Sequence, residues 1–191
     1  MKLQYFVFVF CWLLSQAVQA QDLDAATKNV WNRDPSRLAL ASVNALVMDT
    51  EHKQVLFSKN PDAVVPIASV SKLMTVMVAL DAKQSMDEVL PIKIDQTREL
   101  KGVFSRVRVG SQLTRKEIIL LTLMSSENRA AATLAHHYKG GYDKFIQAMN
   151  QKAKDLGLTG TRFVEPTGLS YSNVSSARDL VKLVQTAATY P

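Results

Sequence analysis

The sequence predicts an α+β fold in which helices cover an antiparallel β-sheet. Two observations carry this. Residues 43–59 read as a β-hairpin, and nearly everything from residue 66 onward reads as helix. The composition agrees with a packed domain: 47% apolar and 21% charged residues exclude a disordered chain and a polytopic membrane protein. Seven glycines and six prolines leave no room for a low-complexity linker.

Residues 1–20, MKLQYFVFVFCWLLSQAVQA, are expected to be a secretory signal peptide. Lys2 supplies the positive start, residues 5–14 are apolar throughout, and Val18 and Ala20 stand at −3 and −1 of a cut after Ala20. The run is shorter than the ~20 residues that span a bilayer core, so no stable membrane anchor is expected after cleavage. Cleavage takes the single cysteine, Cys11, which excludes a disulfide framework. Export also argues against a nucleic-acid partner, despite a net charge of +6. Residues 21–40 are polar and weakly patterned, a tail before a domain spanning 41–191.

Within that domain, residues 43–49 and Gln54–Lys59 form the hairpin around the turn Thr50-Glu51-His52-Lys53. Residues 66–83 form a helix whose stretch from Leu73 to Leu80 is apolar nearly all round, which places it in the centre of the core. Alternation in Arg106-Val107-Arg108-Val109 suggests a short strand. Thr114-Arg115-Lys116-Glu117 is a capping box opening a helix to Met124. Further helices cover 128–138, ending at Gly140-Gly141, and 142–156, stopping at Gly157. Residues 158–169 are turn-rich. Ser176-Ala177-Arg178-Asp179 is a second capping box, opening a helix to the chain end. Two strands alone are marginal, so the sheet is expected to need C-terminal strands absent from this chain.

Ser69-Val70-Ser71-Lys72 is an S-x-x-K tetrad at the start of the buried helix. Residues i and i+3 share a helix face, so the Ser69 hydroxyl and the Lys72 amine can meet. A serine nucleophile needs a base, and a lysine serves when burial lowers its pKa. The tetrad alone is weak evidence; its placement is stronger. A lysine at the positive end of a buried helix, followed by apolar residues, is a poor packing choice. The alternative is a lysine that snorkels to the surface. Ser126-Glu127-Asn128 is an S-x-N triad at a helix junction, where Ser125 or Ser126 could equally be an N-cap. His136 and His137 are adjacent, point ~100° apart on a helix and do not chelate one metal together; a solvated helix end is the plainer reading. His52 is expected to be exposed in the hairpin turn. Lys93, Arg98, Lys101, Arg106, Arg108, Arg115 and Lys116 form a basic stretch, either a solvated face or a surface for an anionic polymer such as carboxylate-rich cell wall.

S-x-x-K followed 57 residues later by S-x-N resembles the penicillin-binding proteins and serine β-lactamases. Ile67-Ala68-Ser69-Val70-Ser71-Lys72-Leu73-Met74-Thr75 resembles the nucleophile helix of the low-molecular-weight D-alanyl-D-alanine peptidases. Gly157-Leu158-Thr159, Phe163, Pro166-Thr167-Gly168-Leu169 and Ser175-Ser176-Ala177-Arg178-Asp179-Leu180 resemble their later segments. Met124-Ser125-Ser126-Glu127-Asn128-Arg129-Ala130-Ala131 resembles the endopeptidase branch, of the penicillin-binding protein 7 type. The resemblance implies the transpeptidase-like fold and hydrolysis of D-alanyl-diaminopimelate cross-links of peptidoglycan in a Gram-negative periplasm. It implies Ser69 as acylated nucleophile, with its backbone N–H in the oxyanion hole, and Lys72 as general base. Ser126 would relay a proton to the leaving amine, and Asn128 would orient Lys72 and substrate. It implies acylation by β-lactams, and neither metal nor organic cofactor. A carboxypeptidase is a lesser alternative. So is a class A β-lactamase, which needs a Glu with an Asn four residues later; here Glu165 is followed by Leu169. The family's third motif, Lys-Thr-Gly or Lys-Ser-Gly, does not occur in the sequence. The rival expectation is therefore a truncated, catalytically incomplete remnant that binds wall or partner at most.

Overall fold

One helix organises the molecule. In the computed structural model, which describes residues 38–191, helix α1 (Ser71–Asp81) is buried along nearly its whole length. Around it pack α2 (Arg115–Met124), α3 (Asn128–His136), α4 (Tyr142–Asp155) and α5 (Ala177–Ala187). Met74 and Met77 of α1 meet Ile118 of α2, Leu134 of α3, Phe145 and Met149 of α4 and Leu183 of α5 in one core. Each such side chain contributes about 1.5–3 kcal/mol on burial. On α3, Ala130, Ala131, Ala132 and Ala135 are fully buried, and such small side chains leave room for neighbouring helices to approach closely. Everything described below falls in one compact unit, Ala41–Pro191. The expected signal peptide, and the tail through residue 37, lie outside the described residues.

Among the described residues the β structure is three separate antiparallel pairs. β1 (Ala45–Asp49) and β2 (Gln54–Lys59) are the expected hairpin, with a bulge at Val47/Met48. In its turn Asp49 accepts from the backbone N–H of Glu51 and of His52, and its carboxylate faces His52 Nδ1 at 2.7 Å. The hairpin lies against α5, with Leu46 and Met48 facing Leu180, Val181 and Val184 across a groove. β3 (Val65–Pro66) pairs with β6 (Val174–Ser175), and β4 (Val89–Pro91) with β5 (Gln112–Thr114).

Several expectations need correction. The helix expected from Pro66 starts later, because Pro66 is in β3; Ala68–Val70 form a 3₁₀ turn and the α-helix begins at Ser71. Arg106-Val107-Arg108-Val109 is not a strand. Its backbone is captured by side chains: Arg129 Nη1 donates to the Val107 carbonyl at 2.7 Å, and Ser105 Oγ accepts from Val107 N–H at 3.0 Å. Arg115 does not belong to a solvated basic face. It is 1% exposed, and its guanidinium donates to Glu88 Oε2 at 2.6 Å and to the Ser85 carbonyl. His136 and His137 are half-buried rather than solvated: His136 lies against the Tyr142 ring, and His137 Nε2 is 3.0 Å from the Pro91 carbonyl. The last helix stops at Ala187, short of the chain end.

The first capping box forms in full and the second only by half. Thr114 and Glu117 make the reciprocal pair. Ser176 accepts from Asp179 N–H, while the Asp179 carboxylate turns away to Gly160 N–H (2.7 Å) and Thr161 Oγ1 (2.9 Å). That side chain thus fastens α5 to the turn-rich segment instead of closing its own cap.

Candidate active site

Ser69 sits in the 3₁₀ turn and Lys72 in the first turn of α1. The connection places an exposed hydroxyl directly above a buried amine. Ser69 is exposed; Lys72 is 2% exposed. Lys72 Nζ donates to Ser69 Oγ at 3.0 Å and to the Thr167 carbonyl at 2.7 Å. The snorkelling alternative is therefore wrong, since the amine points inward to these two oxygens. Burial pushes its pKa down from 10.5 to about 8, against the opposing pull of the Glu165 and Glu127 carboxylates. A neutral Lys72 can keep donating to Thr167 while its lone pair accepts the Ser69 proton.

The turn that holds Lys72 is built around Glu165, which is 1% exposed. Its carboxylate accepts from Thr167 N–H (2.6 Å), Thr167 Oγ1, Gly168 N–H (2.6 Å), Ser170 N–H (3.3 Å) and Asn173 Nδ2 (3.0 Å). Buried Asn173 also donates to Ser71 Oγ at 3.1 Å, and Thr75 Oγ1 donates to the Pro166 carbonyl at 2.7 Å. Three side chains of α1 thus hold the turn, Lys72 and Thr75 directly and Ser71 through the Asn173 amide. Glu165 has its oxygens committed to these donors, so it is not poised to activate a water for a β-lactamase. Replacing it with Gln puts an NH₂ against N–H donors and removes a charge that raises the Lys72 pKa. Glu165→Gln is expected to lose about 2 kcal/mol of stability and to move the pH midpoint of serine acylation downward. A pH series of acylation rates checks this; an upward or absent shift would contradict it.

Gly168 makes the closest approach. Its φ is +85°, and a Cβ there would lie 1.9 Å from the Ala68 carbonyl oxygen and 2.9 Å from Ser69 N. Ala68, immediately before Ser69, has φ +45°. Strain in a non-glycine residue persists only where the surroundings enforce it, and the close-packed Gly168 backbone is one of the neighbours of Ala68.

Asn128 opens α3, and Ser126 stands two residues before it. Neither Ser125 nor Ser126 is the N-cap: Glu127 takes that role, accepting Arg129 N–H at 3.0 Å. Ser126 is exposed with φ +51°, so its hydroxyl is not spent on capping. Among the described residues, no side-chain hydrogen bond joins Ser126 or Asn128 to Lys72, whose partners are Ser69 and Thr167. Between them, the Glu127 carboxylate acts on the lysine through its charge, opposing the fall in the Lys72 pKa. Sequence reasoning missed the Thr167 carbonyl and the Glu165–Asn173 pair. A backbone acceptor has no residue signature; the one available signal was the dense Glu165-Pro166-Thr167-Gly168 turn.

An exposed serine in contact with a buried lysine amine, in an α+β frame, is an arrangement suited to acyl transfer through a serine. Comparison narrows it. The family model described as D-alanyl-D-alanine carboxypeptidase, peptidase S11, matches residues 31–190. The chain is 56% identical over 167 residues to the D-alanyl-D-alanine endopeptidase of Escherichia coli K12, covering 87% of this chain and 54% of that protein. It is 60% identical over 157 residues to the D-alanyl-D-alanine endopeptidase of Pseudomonas aeruginosa, covering 82% and 51%. Among solved structures, an R248L mutant of the Streptomyces K15 DD-transpeptidase superposes with a TM-score of 0.73 at 25% identity, covering 81% of this chain and 64% of that one. Cefotaxime-bound penicillin-binding protein D2 of Listeria monocytogenes gives 0.69 at 30%, covering 80% and 64%. The chain belongs to the S11 family of D-alanyl-D-alanine peptidases and has its transpeptidase-like fold. It spans about half the length of the curated relatives it matches.

Proposed function

We propose that this is a serine D-alanyl-D-alanine endopeptidase that hydrolyses D-alanyl-diaminopimelate cross-links of peptidoglycan. The observation that carries the reading is the Ser69 Oγ–Lys72 Nζ contact at 3.0 Å, with the serine exposed and the lysine buried. In acylation, Ser69 Oγ bonds to the D-alanyl carbonyl carbon while its proton passes to Lys72 Nζ. The carbonyl–nitrogen bond breaks, and Ser126 relays a proton to the leaving amine. Water then hydrolyses the acyl-enzyme. Asn128 orients substrate and lysine, and the Ser69 N–H faces the oxyanion. The naming of both high-identity relatives favours the endopeptidase over a carboxypeptidase.

Residues 1–20 are read as a signal peptide directing the protein to the periplasm. Among the described residues no helix is long and apolar enough to cross a membrane. Peptidoglycan is the partner and β-lactams are covalent inhibitors in this reading; no cofactor takes part. The test is intact mass after incubation with benzylpenicillin. A single adduct on the parent, absent from Ser69→Ala, is the expected result. Equal labelling of both, or of neither while both are folded by far-UV spectroscopy, would falsify the assignment.

A further inference from the structure

We propose that the loop spanning residues 92–111 recognises carboxylates of the peptidoglycan stem peptides that flank the scissile bond. The inference rests on the peptidase reading and adds the part of the molecule that selects substrate.

The loop is built, not loose. Its base is closed by Gly110 N–H to the Ile92 carbonyl and Ile92 N–H to the Ser111 carbonyl, each at 2.9 Å. Thr97 and Leu100 are buried beneath it, each 2% exposed. Side chains of α3 hold it along its length. Thr133 Oγ1 accepts Lys93 N–H at 3.0 Å, and Arg129 Nη1 reaches the Val107 carbonyl. Ser105 Oγ donates to Glu127 Oε1 at 3.0 Å. Glu127 stands between Ser126 and Asn128, so Ser105 is tied directly to the triad.

On this fixed frame, Lys93, Arg98, Lys101, Arg106 and Arg108 are all exposed. None forms an ion pair among the described residues. Only Asp95 and Glu99 oppose them within the loop, and Glu127 is engaged by Ser105 and Arg129. Phe104, 86% exposed, offers an apolar surface among the cations. Unpaired guanidinium groups match carboxylates in bidentate geometry. Stem peptides cross-linked through diaminopimelate carry such carboxylates on both sides of the bond to be cut. A loop that were only a solvated face would show no preference for them.

The experiment uses the full-length protein with Ser69→Ala, so that the probe is not turned over. The probe is a cross-linked muropeptide dimer, with its carboxylates free or converted to amides. Calorimetry is expected to show roughly tenfold tighter binding of the free form, a preference lost in Arg106→Gln/Arg108→Gln. Equal binding of the two dimers by the parent, or an undiminished preference in the double variant, overturns the proposal. Benzylpenicillin labelling of protein with Ser69 intact is read in parallel. Absence of the adduct with the carboxylate preference retained would remove the peptidase reading and leave the loop's role standing.

Discussion

Lys72→Met is expected to reduce the rate of acylation by benzylpenicillin by about 10³–10⁴ and to erase a pH dependence of stability. Both effects come from one placement. With a pKa of about 8, Lys72 is neutral in about one molecule in ten at pH 7, against roughly one in three thousand for an ordinary lysine. The acylation rate should therefore climb with pH and level off near 8; Met at 72 removes both the base and the slope. Stability has its own sign. The folded pKa lies below the unfolded value of 10.5, so the unfolded chain holds the proton more tightly. Below pH 8 the folded state bears the full cost of a buried charge, about 3 kcal/mol. As pH rises from 8 to 10.5 that cost disappears and stability increases. In Lys72→Met the difference between pH 7 and pH 10.5 should shrink by about that amount. At pH 7 the two changes partly offset. Met relieves the desolvated charge but leaves the Thr167 carbonyl without its donor, a loss of about 1–3 kcal/mol. The pH difference, measured by denaturant titration on both proteins, isolates the ionisation. An identical increment in parent and variant would show that Lys72 is not the buried titrating group.

Gly168→Ala is the second large effect. The new methyl would meet the Ala68 carbonyl carbon and oxygen, which are backbone and cannot rotate aside. Positive φ alone costs about 1 kcal/mol; forcing two backbones apart adds several more. A loss of at least 3 kcal/mol is expected. In molecules that remain folded, acylation should fall because Ser69 moves with Ala68. Gly141→Ala is the matched control. It shares a positive φ, +83°, but has open space around the new methyl. It should cost about 1 kcal/mol and leave acylation unchanged. Similar losses at the two glycines would mean that backbone conformation, not the Ala68 contact, dominates.

These contrasts also show what the sequence made legible. The hairpin was readable because its turn is bounded by two β-rich runs. The two capping motifs were readable because each places a hydroxyl at the N-cap with an acid three residues on. The unbroken apolar run after Lys72 marked α1 as central and made the lysine conspicuous. Strands of two or three residues, such as Val65–Pro66 and Gln112–Thr114, are too short to show a period. Alternation at 106–109 misled because side chains of Arg129 and Ser105 claim the Val107 backbone. Ser126 looked like a cap by residue preference, yet Glu127 took the role and left the serine hydroxyl uncommitted.

The pairing of Val65–Pro66 with Val174–Ser175 has a temporal consequence. About 110 residues of chain must be looped before the turn bearing Thr167 closes over Lys72, and long-range contacts of that kind form late in folding. Until then Lys72 is an ordinary solvated ammonium and Ser69 an ordinary alcohol. Before that closure the unfolded chain is thus chemically silent at this pair. The buried, partnered state of Lys72 comes with that long-range closure rather than with synthesis.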